Sequence, residues 1–367
     1  MKKRYIFLAL ALLTAVCCLT IPTCRVTALM VRYNFADIGD FKIFTNNPLQ
    51  HADLTTHFVR SKSPFKTNKP DFERFLGDNK TVAFLVLKND TLLYEKYFND
   101  YDTLSIVPSF SMAKSVISAL IGCAIEDKLI QSVDDPVAKY VPEMAKNGFD
   151  KVTLRHVLNM NSGLAFNESY VNPTGEAAKF YYGDQLEEYI LNLKLAKQPG
   201  SGFDYVSGNT QILGFVLHRV LEKTTYKTVT NYLQAKIWTP LGCEFDASWS
   251  TDHEGGIEKT FCCLNARARD FAKFGELYLH KGNWHGKQLV PETWVKESTT
   301  PNIAENNSLA YHYQWWFPSE NGDYTARGIL GQYIYVNPNN NIVIVRMGAD
   351  NGNVDWFHWI SEWGSAL

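Results

Sequence analysis

No stretch of this 367-residue chain concentrates charge of one sign: 36 lysines and arginines are interspersed with 38 aspartates and glutamates. That excludes a nucleic-acid stripe or an acidic interaction tail, and favours a small neutral or mixed-charge ligand over a polyanion. Internal repeats and low-complexity tracts are also missing. The nine histidines include no His-Glu-x-x-His pair, and adjacent Cys262-Cys263 is not metal-ligand spacing, so neither a metal site nor a cofactor is expected. What the chain has in quantity is apolar surface. At 46% hydrophobic and 14% aromatic content it buries a large core, as one large or two interleaved domains.

Met1-Lys2-Lys3-Arg4, then an apolar run from Tyr5 to about Ile21, has the charged and hydrophobic regions of an export signal. A run of about 17 residues lies at the lower edge of what spans a bilayer. Residues 1–28 are therefore expected to be either a cleaved signal peptide or a membrane anchor, with the body exported to the periplasmic or extracellular side. Cys17, Cys18 and Cys24 fall in this leader, leaving Cys123, Cys243, Cys262 and Cys263 in the folded part. After export Cys243 can pair with Cys262 or Cys263; the alternative is buried free thiols.

Residues 29–78, mixed and polar with Ser63-Pro64 and Lys69-Pro70, read as an arm laid on the main domain. From residue 79 the pattern changes. Val82–Leu87 and Leu92–Phe98, separated by Asn89-Asp90, read as a β-hairpin, and Tyr333–Asn337 with Ile342–Met347 as a second near the other end. Between them, Met112–Leu129, Leu154–Met160, Thr210–Leu221, Val229–Ile237 and Ala266–Leu279 carry apolar residues at helical spacing, as does Val354–Trp363 at the end. The expected architecture is α/β (α+β): an antiparallel sheet from about 79–110 and 285–367, flanked by helices, with a mainly helical region over about 111–284.

Ser111-Met112-Ala113-Lys114 forms the first turn of a helix whose apolar face continues through Val116, Ile117, Leu120, Ile121 and Ala124. Residues three apart share a helix side, so a hydroxyl and an amine are brought together as a nucleophile and its base require. Burial and the positive helix end both push the lysine pKa down. The four-residue pattern is weak alone, since Ser63-Pro64-Phe65-Lys66 also matches, but without an apolar helix behind it. A second element is Pro199-Gly200-Ser201-Gly202-Phe203-Asp204-Tyr205, a glycine-rich turn that places Tyr205 just before an apolar helix. Beside a cationic lysine the Tyr205 phenol is expected to ionise more readily and to relay protons.

Ser-x-x-Lys on a helix, a Pro-Gly-x-x-Phe-x-Tyr turn about ninety residues later, and a glycine motif before a C-terminal hairpin resemble the class C β-lactamase and D-Ala-D-Ala carboxypeptidase superfamily. The resemblance covers roughly residues 75–367. Val133-Asp134-Asp135-Pro136-Val137 and Ser162-Gly163-Leu164 add to it. Asn167-Glu168-Ser169-Tyr170, Phe261-Cys262-Cys263, Tyr313-Gln314-Trp315-Trp316 and Gly331-Gln332-Tyr333 look like the 6-aminohexanoate-dimer hydrolase branch of esterases and amidases. The resemblance implies a β-lactamase/transpeptidase-like fold and a serine hydrolase acting on a small ester or amide. It implies Ser111, Lys114 and Tyr205 as catalytic residues, and the N–H groups of Ser111 and Ile329 as oxyanion donors. Tyr170, Ser207, Arg327, Gly328, Trp315 and Gln332 are implied to bind substrate. Two departures matter. Ser207 stands where the family often has asparagine, and Ala326-Arg327-Gly328 stands where β-lactamases carry Lys-Thr-Gly or His-x-Gly, which weakens the case for β-lactam recognition. Glu168 resembles a class A deacylating glutamate, but it precedes the tyrosine in sequence, and so reads as loop structure or a substrate contact.

Overall fold

The computed structural model describes residues 22–33, 36–67, 69–170, 172, 175–304 and 307–367. The leader expected at 1–28 lies mostly outside these residues. Its described end belongs to a helix, Pro22–Tyr33, and no described helix is long and apolar enough to cross a membrane.

The framework is an eight-stranded sheet. Its main strands are β1 (Thr81–Lys88), β2 (Thr91–Tyr97), β3 (Tyr324–Gly328), β4 (Gln332–Asn337) and β5 (Ile342–Gly348), in the spatial order β3-β4-β5-β1-β2. All neighbours in that series are antiparallel. Short strands Tyr311–His312 and Trp315–Trp316 extend the β3 edge, and Val59–Arg60 from the arm adds a parallel strand beside β2. The first hairpin turns at Asn89-Asp90, both with positive φ (48° and 59°), the conformation that matches the twist of a two-residue loop.

β1 is a continuous apolar run because both of its faces are covered. Successive side chains alternate across the sheet. Ala83, Leu85 and Leu87 enter the core shared with the helices Ala113–Glu126 (α1), Ser207–Leu221 (α2) and Ala268–Leu279 (α3), while Phe84 and Val86 enter a second, aromatic core. That second core is closed by the arm helix Phe72–Asp78 and the C-terminal helix Trp356–Ser365 (α4), where Phe72 stacks on Trp363 with ring centroids 5.0 Å apart. α3 lies directly on the sheet at Gly275, where a Cβ would stand 2.6 Å from Val343 Cγ1, so only hydrogen fits.

The region expected to be mainly helical also contains strands. Ala247–Thr251 pairs with Thr45–Leu49 of the arm on one side and with Leu264–Ala266 on the other, and Leu264–Ala266 pairs with Val107–Pro108. These strands are two to five residues long and rich in Asn, Ser and Thr, too short and polar for an alternating pattern to show. Of the two readings of the cysteines, the buried free thiol holds for Cys123 and Cys243, while the bond between Cys262 and its neighbour Cys263 is in neither. The Cys243 sulfur faces Asp270 on α3 rather than the 262–263 turn.

Candidate active site

Ser111 sits in a 3-10 turn, Phe110–Met112, that runs straight into α1. The residue before it, Phe110, is held at φ 42°, a left-handed conformation that a bulky side chain rarely adopts and that persists only where the surroundings impose it. Those surroundings are the small sheet: the Ser109 N–H donates to Leu264 O at 2.7 Å, and the Leu264 N–H donates to Ser109 Oγ at 3.2 Å. The four-stranded sheet that periodicity did not show is thus what pins the start of α1.

One helical turn on, Lys114 is 1% exposed. Its Nζ donates to Ser111 Oγ at 3.2 Å, to Ser207 Oγ at 3.1 Å and to the Phe261 carbonyl at 2.8 Å. Burial pushes its pKa down to about 8, against the nearby negative charge of Glu168, which favours the ammonium. The Phe261 carbonyl is fixed by the turn that carries the Cys262–Cys263 disulfide, whose Cys262 carbonyl accepts from Trp249 Nε1 at 2.9 Å.

Tyr205 reaches Ser111 from the other side, its hydroxyl hydrogen-bonded to that serine. The expectation of a readily ionised phenol is corrected here. Burial raises the Tyr205 pKa well above the ordinary tyrosine value and outweighs the lowering by Ser111 and Arg327, so the phenol is neutral at physiological pH. Lys114 Nζ lies 5.4 Å from its ring centroid.

These groups open onto a cleft of about 350 Å³ that is also lined by Glu168, Tyr170, Trp316, Arg327, Gly328, Ile329 and Tyr333. β3 ends against the start of α1 at Gly328. A Cβ there would lie 2.6 Å from Ser109 O and 3.1 Å from the Ser111 nitrogen, so glycine is required for the two backbones to meet. This close approach brings the Gly328-Ile329 peptide beside the Ser111 N–H. Arg327 projects into the cleft, with its guanidinium 5.5 Å from the Trp316 centroid and 5.0 Å from that of Phe357. Among the described residues it forms no ion pair within 4.0 Å.

Of the residues expected to bind substrate, Tyr170, Arg327 and Gly328 line the cleft and three do not. Trp315 is fully buried against α3, its centroid 4.5 Å from that of Tyr278. Neighbours on a strand face opposite ways, so Trp316, one residue on, takes the cleft position. Gln332 is also buried, its amide spent on β5: Nε2 donates to Gly348 O at 2.6 Å and Oε1 accepts from the Gly348 N–H at 3.1 Å. Ser207 lies behind the cleft wall, 1% exposed, linking Lys114 to Glu168.

Glu168 has a larger part than the sequence suggested. Its carboxylate accepts from the Ser207 N–H at 2.7 Å, from Ser207 Oγ at 2.6 Å and from the Tyr170 hydroxyl at 2.9 Å. It therefore caps the N-terminus of α2 and joins Tyr170 to the lysine through one serine. The contact depends on where α2 begins and not on the order of Glu168 and Tyr205 in the chain.

The fold is of the β-lactamase and penicillin-binding-protein type, and the chain belongs to the β-lactamase family, whose model matches residues 72–359. It is a hydrolase of the β-lactamase-related kind. The chain is similar to the 6-aminohexanoate-dimer hydrolase of Paenarthrobacter ureafaciens, 28% identical over 323 residues, with 80% of this chain and 78% of that protein covered. A solved structure from Bacillus anthracis, described as a candidate 6-aminohexanoate-dimer hydrolase, superposes with TM-score 0.76 at 26% identity and covers 90% of this chain and 92% of that one. A penicillin-binding protein homologue from Caulobacter crescentus shares the fold, with TM-score 0.60 at 15% identity over 79% of this chain and 94% of that one.

Proposed function

We propose that this hydrolase works through a covalent acyl-enzyme on Ser111 and acts on small esters or amides. The observation that carries the reading is the buried Lys114 amine 3.2 Å from Ser111 Oγ at the edge of an open cleft. Neutral Lys114 takes the serine proton as Oγ attacks the carbonyl carbon. The N–H groups of Ser111 and Ile329 hold the oxyanion, an interaction typically worth roughly 3 kcal/mol per donor. Tyr205 hands a proton to the departing alcohol or amine, and water then releases the acyl group from Ser111 by the reverse proton path. The similarity to a 6-aminohexanoate-dimer hydrolase and Arg327 on the cleft wall, without an ion-pair partner among the described residues, support a short substrate that carries a carboxylate. β-Lactam hydrolysis is the rival reading on the same fold.

The test is intact-mass labelling with a fluorophosphonate, combined with rates on short acyl esters, amides and nitrocefin. One adduct is expected on the wild type and none on Ser111→Ala, with esters and amides turned over faster than nitrocefin. A wild type that is not labelled and turns over none of these substrates would overturn the Ser111 acyl-enzyme, and nitrocefin rates equal to ester rates would move the assignment to the β-lactamases.

A pH profile follows from the lysine. The base form of Lys114 is the active one, and with its pKa near 8 that form grows as pH rises, so kcat/KM climbs from about pH 7 to pH 9. Glu168 raises that pKa, so Glu168→Gln should move the rising limb to lower pH. A limb that stays in place or moves up would show that the titrating group is not Lys114.

A further inference from the structure

The end of α3 holds three potential metal ligands that the hydrolytic reading does not use. Glu276 and His280 are four residues apart and share a helix side, and Asp90 comes to them from the β1–β2 turn. One ligand atom from each lies within 4.8 Å of the other two. His280 Nε2 is 2.6 Å from Asp90 Oδ1 and 3.5 Å from Glu276 Oε2. Glu276 is 2% exposed and lines a cavity of about 270 Å³, and its buried Oε1 has no hydrogen-bond partner among the described residues. A buried carboxylate oxygen without a donor is costly, and a second carboxylate beside it adds repulsion. A cation removes both penalties. His285, on the neighbouring hairpin, lines the same cavity.

We propose that Asp90, Glu276 and His280 bind a divalent metal ion, with zinc as the chemistry that one imidazole and two carboxylates suit. Two carboxylates balance the charge of the ion. Asp90 and His280 are half-exposed, so the site is open for the ion to enter and for water to complete its shell. The expectation of no metal rested on cysteine spacing and the missing His-Glu-x-x-His pair, and neither bears on a ligand brought in from residue 90.

The site is structural. Asp90 follows the Lys88↔Ile342 end of the β1–β5 pair, whereas Gly328, paired with Gln332 beside Gly348, meets the start of α1 near the Gly348↔Thr81 end, about 20 Å away at the rise of a strand. The ion would tie the first hairpin to α3.

The test uses the full chain, treated with chelator and titrated with zinc chloride by calorimetry, with Asp90→Asn and Glu276→Gln beside it. Asp90 is on an exposed turn and its amide variant leaves the core untouched. We expect one zinc per chain, a melting temperature raised by about 3 °C at hundredfold excess over Kd, and affinity at least tenfold weaker in both variants. Ester hydrolysis should be unchanged with and without zinc. No saturable binding, or binding kept in both variants, would show an ion pair only and overturn the site.

Discussion

Replacing Lys114 with methionine is expected to lower kcat/KM by roughly a thousandfold or more on every substrate, because the serine loses its base. Methionine matches the length of the lysine stem and fills the same buried volume. The loss therefore reports the amine and not a cavity. Its effect on stability is a balance of two terms. Taking a buried amine out of the core removes a desolvation penalty, while the Phe261 carbonyl and Ser207 Oγ each lose a donor, at about 1 to 3 kcal/mol for an acceptor left unsatisfied. The two oppose each other, so the melting temperature should move by only a few degrees. A folded Lys114→Met that keeps a tenth of wild-type activity would remove Lys114 from the mechanism. Activity and melting temperature measured on one preparation decide the point.

How much of this was legible in the sequence depends on the range of the interactions. The hairpin strands announced themselves because Val82–Leu87 and Ile342–Met347 are buried on both faces, and the helix after Ser111 did so because its apolar face is broad. Ser111 and Lys114 share one helical turn, so their proximity is a matter of local geometry. Tyr205 needed more: its turn marks a loop–helix junction, but only the fold brings that junction to the serine. The strand at Ala247–Thr251 was silent because its pattern is polar and its partners lie some 200 residues away at Thr45–Leu49 and next to it at Leu264–Ala266. The sites of error have the same origin. Trp315 and Trp316 differ only in which face of a short strand they occupy, and a motif quoted as Trp315-Trp316 holds no information about that. The choice left open for Cys243, paired or free, is decided by α3, where its thiol contacts Asp270, a contact set by helix docking. Likewise, Glu168 reaches Lys114 through Ser207 only because the loop before α2 folds back on that helix start.

Tyr205→Phe is expected to separate substrates by their leaving groups. The phenol is held neutral by burial, so in the resting enzyme at physiological pH it is a proton donor, and it becomes a base only after it has given its proton to the leaving group. An amide must have its nitrogen protonated before the carbon–nitrogen bond breaks, because an amine anion is too basic to leave. A p-nitrophenyl ester releases a stable phenolate and needs no such help. The variant should thus lose about a hundredfold to ten-thousandfold in kcat/KM on amides, the range of a positioned general acid, and tenfold or less on p-nitrophenyl esters. The ring itself is kept, so its packing against Trp316, at a centroid distance of 5.2 Å, and against Tyr311, at 5.8 Å, remains. An equal loss on both substrate types would mean that Tyr205 only orients Ser111 through their hydrogen bond. A larger loss on the ester would mean that it acts in the attack step, with Lys114 serving the leaving group. The same comparison run on Lys114→Met should show the opposite pattern, a similar loss on both substrates, since every acyl transfer begins with removal of the proton from Ser111.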